Sequence, residues 1–508
     1  MFKRLLSVGS FTLLSRITGF VRDMLMAWIL GKGVMSDSFI VAFMFPNYYR
    51  QIFGEGTINP AFLPRYAALH AKGEHTAAAL FGDRVFSWQM SAQLIILVAA
   101  LICMPWIVHV LAPGFNPAQM ALTIKLSRIT FPYLILTLVA VQLSAMLNAI
   151  EKFWAAAAWS NLQNLAMIAT LLLANWFPNA AYAAAWGVLA GGIAQLFFIL
   201  WAAAQHGLNL RIARPRWTPE IKEFFKAFGA VTFGSASIVI APFIDTVIAS
   251  LLPVGSRTAL YYADRINQLP LGVLGIAVGT VLLPEMSAKL ALNDRAGSDS
   301  AQNRAAAVSL MLTLPFAVAF VLIPDTIMRA IFAHGAFDAN AAALSATALA
   351  TYGVGLPAMA LTRIVQSTFY ARHDTMTPAR VTVTAILVNV AFKVVFVWWA
   401  HLGVDGIALG TSIGAWTNVV ILTWLGRRRT LLTIDASFRR AMLPVICAAL
   451  ATGVGAIAGV MLIRNFTASS MRFYDEIMLL AAMVLSGLAY GAVIFLFRRA
   501  LPLGKFAR

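Results

Sequence analysis

The sequence places guanidinium and carboxylate groups where apolar residues dominate. Near its start it reads LLSVGSFTLLSRITGFVRDMLMAWIL, and the segment SRITGFVRD puts Arg16, Arg22 and Asp23 inside a run long enough to cross a bilayer. A charge at the centre of a spanning helix costs about 2.5–3.5 kcal/mol on insertion scales, so such groups face a protein interior or a water-filled cavity, not lipid. Arg50, Lys125, Arg128, Arg265, Arg363 and Lys393 also fall within or at the edges of apolar runs, against fewer acids: Asp23, Asp37, Asp245 and Asp264. That excess of cations gives the membrane interior a net positive character, which suits a cavity for an anion. On an ideal helix Arg16 and Arg22 differ by about 240° and point in different directions. A break at Gly19, or separate partners, would be needed for both to serve one anion. Arg16 and Asp23, seven residues apart, share a helix face and are spaced to pair; a static ion pair fixing helix packing is therefore the alternative to an anion site.

The surrounding elements must be membrane helices. Of 508 residues, 60% are hydrophobic and 11% charged, the composition of a polytopic membrane protein. Lys3 and Arg4 precede an apolar stretch as in a signal peptide, but Arg16 interrupts that stretch and no small-residue cleavage site follows, so a retained first helix is expected. Cys103 and Cys447 lie in apolar runs and read as small packing residues, with neither a disulfide framework nor a thiolate metal site. The seven histidines are scattered without ligand spacing, and no H-E-x-x-H, G-x-S-x-G or G-x-x-x-x-G-K-[ST] occurs. Transport is favoured over catalysis, with no metal, no cofactor and no ATP site expected.

A spanning helix needs roughly 20 apolar residues, and about fourteen windows meet that criterion. They centre near residues 18, 45, 98, 136, 168, 193, 239, 274, 314, 356, 389, 415, 451 and 486, the second interrupted by Pro46, Asn47 and Arg50. Loops on one side carry most of the Lys and Arg, from Lys3 and Arg4 through Arg211, Arg214 and Arg216 to Arg498, Arg499, Lys505 and Arg508. The alternate loops hold only Lys32, Arg257, Arg329, Arg464 and Arg472. This roughly five-to-one asymmetry puts both termini in the cytoplasm and requires an even number of helices. It also accounts for most of the +18 net charge. The basic residues are spread over many loops instead of forming one stripe, so nucleic acid is not indicated as a partner.

A weak internal repeat relates the start of the chain to its middle. VRDMLMAWILGKG aligns with FIDTVIASLLPVG, matching Asp23 to Asp245, Ala27 to Ala249 and Gly33 to Gly255. The copies are six helices apart and share an orientation, as in the parallel repeats of alternating-access transporters. The expected fold is all-α: two pseudo-symmetric six-helix lobes, residues 1–205 and 227–426, with two added helices over 427–508. The lobes are joined by a basic, amphipathic cytoplasmic linker, 206–226, in which Thr218 suits an N-cap and Pro219 the first helical position.

The segments SRITGFVRDMLMAWILG, SDSFIVAFMFPNYYRQIFGEG, INPAFLPRYA and YYADRINQLPLGVLGIAVGTVLLP resemble signature segments of the MurJ (formerly MviN) lipid II flippase family. That family belongs to the superfamily of multidrug, oligosaccharidyl-lipid and polysaccharide exporters. The resemblance runs through nearly the whole chain, is most specific in the first two helices and the YYADR helix, and is generic over the last 80 or so residues. It implies a bacterial inner-membrane flippase for peptidoglycan synthesis and cell shape, with lipid II as substrate and membrane lipids and cell-wall synthesis or division proteins as candidate partners. Another polyprenyl-linked glycan is the nearest alternative substrate. A small-molecule exporter is disfavoured by the cationic interior.

By the same resemblance Arg16, Arg22, Arg50 and Arg265 match the family's essential arginines. A planar guanidinium grips phosphate oxygens through two parallel hydrogen bonds and stays charged, which suits a pyrophosphate. Asp23, Asp37, Asn47 and Glu55 are candidates for gating or structural pairing: Asp37 to cap its own helix or latch a periplasmic gate, Asn47 to satisfy the helix break after Pro46. Gln268 stands where some relatives carry an acid. Some members place a sodium ion between the seventh and eleventh helices; here Asp245 and Asn389 are the candidate ligands, and Lys393 one turn on favours an Asp245–Lys393 ion pair replacing the cation. A monovalent cation or the membrane potential is the expected energy source. The polyprenyl chain is expected near lipid, in a groove lined by the two added helices.

Overall fold

The computed structural model describes residues 2–55, 57–277, 281–468, 471, 473–498 and 501, with the side chains of 2–8, 53–55, 230, 233–238 and 273–277 excepted. The described chain is helical with short connections, and nine segments among the described residues are long and apolar enough to cross a membrane. These nine coincide with the windows centred near 98, 136, 193, 314, 356, 389, 415, 451 and 486. The other windows also fall on helices. Those helices carry more polar residues, are shorter, or run into residues that are not described, so length and composition do not establish the expected count of about fourteen.

Contacts divide the chain into two compact units, Met1–Thr258 with Gly335–Phe337, and Ala259–His334 with Asp338–Arg508. The division differs from the lobes read in the sequence, whose boundary lies at 206–226. The first unit contains α1 (Phe2–Leu30), α2 (Val34–Tyr49, continued by a π-helical turn Arg50–Glu55), α3 (Ile58–Ala71), α4 (His75–Leu111), α5 (Pro117–Thr130), α6 (Tyr133–Ala149), α7 (Phe153–Leu172), α8 (Ala180–Ala204) and α9 (Pro219–Ser250). Local signals start several of these. Asn116 accepts from the Gln119 amide at 2.9 Å with Pro117 in the first turn of α5, and Asn179 accepts from the Ala181 amide at 3.0 Å at the start of α8. α7 and α8 approach closely because α8 presents glycines: a Cβ on Gly187 would lie 2.2 Å from Thr170 Oγ1, and one on Gly191 2.8 Å from Gln163 Cα. The outer face of α4 is apolar and open, with Ile102 71% and Trp106 77% exposed, as a lipid-facing surface requires.

The linker is not a separate amphipathic helix. Residues 208–217 have no regular structure and lie along α4, the Arg211 amide donating to Asp83 at 2.8 Å and the Ala213 amide to Ser87 Oγ at 2.8 Å. Trp217 packs on Trp88, ring centroids 4.7 Å apart. Thr218 occupies the N-cap position and Pro219 the first turn, but the helix they start runs on as α9 to Ser250. It packs on α3 and α4, and Arg65 of α3 pairs with Glu223 at 2.5 Å, which is why α9 belongs with the first unit.

The second unit contains most of α10 (Ser256–Ala277) and then α11 (Leu283–Ala291), α12 (Arg295–Leu322), α13 (Pro324–Phe332), α14 (Ala339–Tyr370), α15 (Met376–Val394, with a π-helical turn Val395–Trp399), α16 (Val404–Arg428), α17 (Ala436–Phe466) and α18 (Tyr474–Leu496). Asp294, Asp338 and Asp435 cap α12, α14 and α17, each accepting an amide three residues on at 2.7–2.8 Å. The two added helices are bound to each other by small residues. A Cβ on Gly455 or Gly459 of α17 would lie 2.7 or 2.5 Å from backbone atoms of α18.

Two prolines inside helices show how the fold handles a broken ladder in an apolar setting. Pro46 has no N–H for the carbonyl of Ala42, and Thr130 Oγ1 of α5 donates to that carbonyl at 3.0 Å. Pro315 likewise leaves the carbonyl of Met311, which accepts from the Tyr490 hydroxyl of α18 at 2.8 Å. The expectation that Asn47 satisfies the Pro46 break is thus corrected: the donor comes from another helix, because an adjacent residue does not reach back to that carbonyl.

Candidate functional site

In the first unit α1 runs unbroken through Gly19, so Arg16 and Arg22 keep their different directions. Arg16 is exposed. Arg22 and Asp23 are 7% and 3% exposed, deep in the packing of α1 against α7. Arg22 donates to Asp23 Oδ1 through Nε at 3.1 Å and Nη2 at 2.7 Å, and to Asn164 Oδ1 of α7 through Nη1 at 3.0 Å. Asp23 thus pairs with its chain neighbour Arg22, a partner that helix-face spacing did not select. Adjacent side chains diverge on a helix, and only the length of the arginine lets its guanidinium fold back. Asn164 in turn donates through Nδ2 to the Ser15 carbonyl and to Thr18 Oγ1, both at 3.1 Å.

Arg50 stands where α2 passes into its π-helical turn and donates from Nη2 to Asn47 Oδ1 at 3.1 Å. Asn47 is thus a partner of a candidate phosphate ligand. Asp37, in the first turn of α2, does not cap its own helix. Its buried carboxylate caps α10, accepting from the amides of Gly255 at 2.6 Å and Thr258 at 2.8 Å and from Thr258 Oγ1 at 2.5 Å. The reason is electrostatic: those amides are the unsatisfied positive end of α10, and a carboxylate is the strongest acceptor for them. Glu55 lies in the π-helical turn, its side chain outside the described residues. Asp245 is partly buried on α9.

In the second unit Arg265 of α10 lies over the ring of Tyr261, 4.7 Å from its centroid, and donates from Nη2 to the Tyr261 hydroxyl at 2.9 Å. Gln268 donates to Asp264, one turn before it on α10. Asn389 and Lys393 are buried on α15, Lys393 completely. They sit against Gly414 and Gly410 of α16: a Cβ on Gly414 would lie 2.7 Å from Asn389 Cβ, and one on Gly410 2.4 Å from Lys393 Cγ. Among the described residues no three His, Cys, Asp or Glu side chains are grouped to hold a metal ion.

The structure thus joins Arg22 with Asp23 and Arg50 with Asn47, while Arg265, Asn389 and Lys393 belong to the other unit. Sequence reasoning missed Asn164, although its signal was present: SNLQN puts Asn161, Gln163 and Asn164 in an apolar helix. It also read the histidines as scattered. His70, His75 and His206 line one polar cavity of about 360 Å³ with Asp83, and the Nδ1 atoms of His70 and His75 are 3.3 Å apart. A larger apolar groove of about 470 Å³ runs between α12, α13, α17 and α18, lined among others by Phe316, Ile327, Met483 and Tyr490. Its lining is almost wholly apolar.

A statistical model of the family described as lipid II flippase MurJ matches residues 26–475. The chain is 38% identical over 462 residues to a probable lipid II flippase MurJ of Rhizobium tropici, covering 89% of this chain and 86% of the relative. To a lipid II flippase MurJ of Burkholderia cenocepacia it is 31% identical over 499 residues, covering 95% and 94%. Its fold is similar to a solved lipid II flippase MurJ in an inward closed conformation, with a TM-score of 0.80 at 24% identity over 97% of this chain and 98% of the other. It is also similar to an inward-facing multidrug resistance MATE family transporter of the MOP superfamily, with a TM-score of 0.69 at 18% identity over 84% and 98%.

Proposed function

Because this chain belongs to the MurJ family of lipid II flippases, we propose that it moves an undecaprenyl-pyrophosphate-linked peptidoglycan precursor from the cytoplasmic to the periplasmic leaflet by alternating access. It is a multi-pass membrane transporter and not a catalytic enzyme. The family match along residues 26–475 carries the reading. In the proposed cycle two six-helix lobes rock about a central cavity in the bacterial inner membrane, with both termini cytoplasmic. Arg16, Arg22, Arg50 and Arg265 hold the pyrophosphate, since guanidinium groups pair with phosphate oxygens at two points and remain charged. The polyprenyl chain lies in the apolar groove beside α17 and α18.

Energy comes from an ion gradient or the membrane potential, without an ATP site. A potential of 100 mV contributes about 2.3 kcal/mol for each charge carried fully across. Asp245 and Lys393 form an ion pair in place of a bound cation in this reading.

The test is complementation of a MurJ-depleted bacterium with wild type and with Arg22 or Arg265 changed to Ala or, separately, Lys, at matched membrane expression. Rescue by wild type and failure of the variants is the expected result. Failure of well-expressed wild type would refute lipid II transport, and rescue by the alanine variants would reduce the arginines to architecture.

A further inference from the structure

We infer that Asn164 is a positioning residue that sets the direction of the Arg22 guanidinium, an inference that rests on reading Arg22 as a ligand of the substrate phosphates. Asn164 belongs to α7, which contributes none of the candidate arginines, and is 7% exposed. Its amide is fully engaged with α1: Oδ1 takes Nη1 of Arg22 at 3.0 Å, and Nδ2 gives to Ser15 O and Thr18 Oγ1 at 3.1 Å each. Chemistry fixes which way the amide points. A guanidinium only donates and a carbonyl only accepts, so the flipped amide would set NH₂ against guanidinium and oxygen against oxygen. Arg22 is thereby held on two edges, Nε and Nη2 by Asp23 and Nη1 by Asn164. Two contacts on different edges of a planar ion fix its plane, and a two-point grip on phosphate depends on that plane.

The two partners do different things. Asp23 supplies a counter-charge for a cation in an apolar helix, and a phosphate must compete with it. Asn164 orients the cation while leaving its charge intact. A carboxylate at 164 would add a second competitor for the same guanidinium and would meet the Ser15 carbonyl where the amide now donates. A further amide, Asn161, donates to the Phe11 carbonyl at 3.4 Å, so the α1–α7 seam holds together without Asn164 alone.

The rival explanation is that Asn164 serves packing only. A double-mutant cycle on the full-length protein in nanodiscs, with lipid II binding read by native mass spectrometry, separates the two. Asn164→Ala should weaken lipid II binding about tenfold, the scale of one hydrogen bond to a charged group, and should weaken it no further in an Arg22→Ala background. Asn164→Asp, which keeps the side-chain shape, should weaken binding more than Ala when Arg22 is present and have no effect when it is absent; it carries the test if the alanine variant does not fold. Equal losses in both backgrounds, or unchanged binding in either variant, would overturn the inference. If Arg22→Ala alone binds as wild type does, the phosphate-ligand reading falls and the inference falls with it, an outcome visible in that single variant.

Discussion

Asp37 offers the sharpest test of how the first unit is held together. Its carboxylate is 2% exposed and takes two backbone amides and one hydroxyl at the start of α10. Asp37→Ala leaves all three donors without that acceptor in a site closed to water. Loss of an N-cap costs about 0.5–2 kcal/mol, and each stranded buried donor about 1–3 kcal/mol. Relaxation of the turn recovers part of this, so about 3–5 kcal/mol is expected, at the large end for one substitution. Thr258→Val removes one donor together with its bond and strands nothing else, for about 1 kcal/mol. Asp37→Asn keeps one acceptor but turns an NH₂ toward donors, and should fall between the two. Hydrogen exchange gives the local readout. Peptides carrying the Gly255 and Thr258 amides should exchange about a hundredfold to several thousandfold faster in Asp37→Ala, taking about 1.4 kcal/mol per factor of ten, with graded SDS unfolding giving the global order Thr258→Val, Asp37→Asn, Asp37→Ala. Unchanged exchange at those amides in Asp37→Ala would refute the cap.

Two further substitutions test the second unit. Gly410→Ala would set a Cβ 2.4 Å from Lys393 Cγ and 3.1 Å from Asn389 O; displacing a fully buried lysine should cost about 1–3 kcal/mol, read as a lower melting midpoint than Gly403→Ala, where nothing lies within 4 Å. Asp374, in the connection before α15, has its carboxyl held below the ordinary value of 3.8 first by the Thr377 hydroxyl and then by the Thr377 amide and Arg429, against opposing burial. A depressed carboxylate contributes stability above its unfolded value and loses it as pH falls through the folded one. Asp374→Asn should therefore lower the melting midpoint at neutral pH, and its gap from wild type should close as the solution is acidified below 3.8.

What the sequence made legible is what depends on neighbours along the chain. Apolar windows located nine spans, and Thr218 followed by Pro219 marked the start of α9. Its end was not visible, because the composition changes at residue 226 while the helix continues into apolar sequence as far as Ser250. The site was legible as a set of residue types and not as a set of contacts. Spacing on one helix offered Asp23 to Arg16; it did not offer the contacts of Arg22 with Asp23 and with Asn164, the latter made because α7 crosses α1 where a 20-residue helix rich in alanine carries asparagines inward.

The prolines state the limit most clearly. From Pro46 and Pro315 the carbonyl that loses its donor follows by counting back four residues, and in an apolar medium that carbonyl must find another donor. Both halves of that deduction need only the sequence. That the donors are Thr130 and Tyr490, 88 and 179 residues away from the carbonyls they serve, follows only from which helices lie side by side. At these positions a polar group in an apolar helix is one half of a pair. Arg22 with Asn164 fits the same rule as Ala42 with Thr130: the sequence announces the need, and the fold selects the partner.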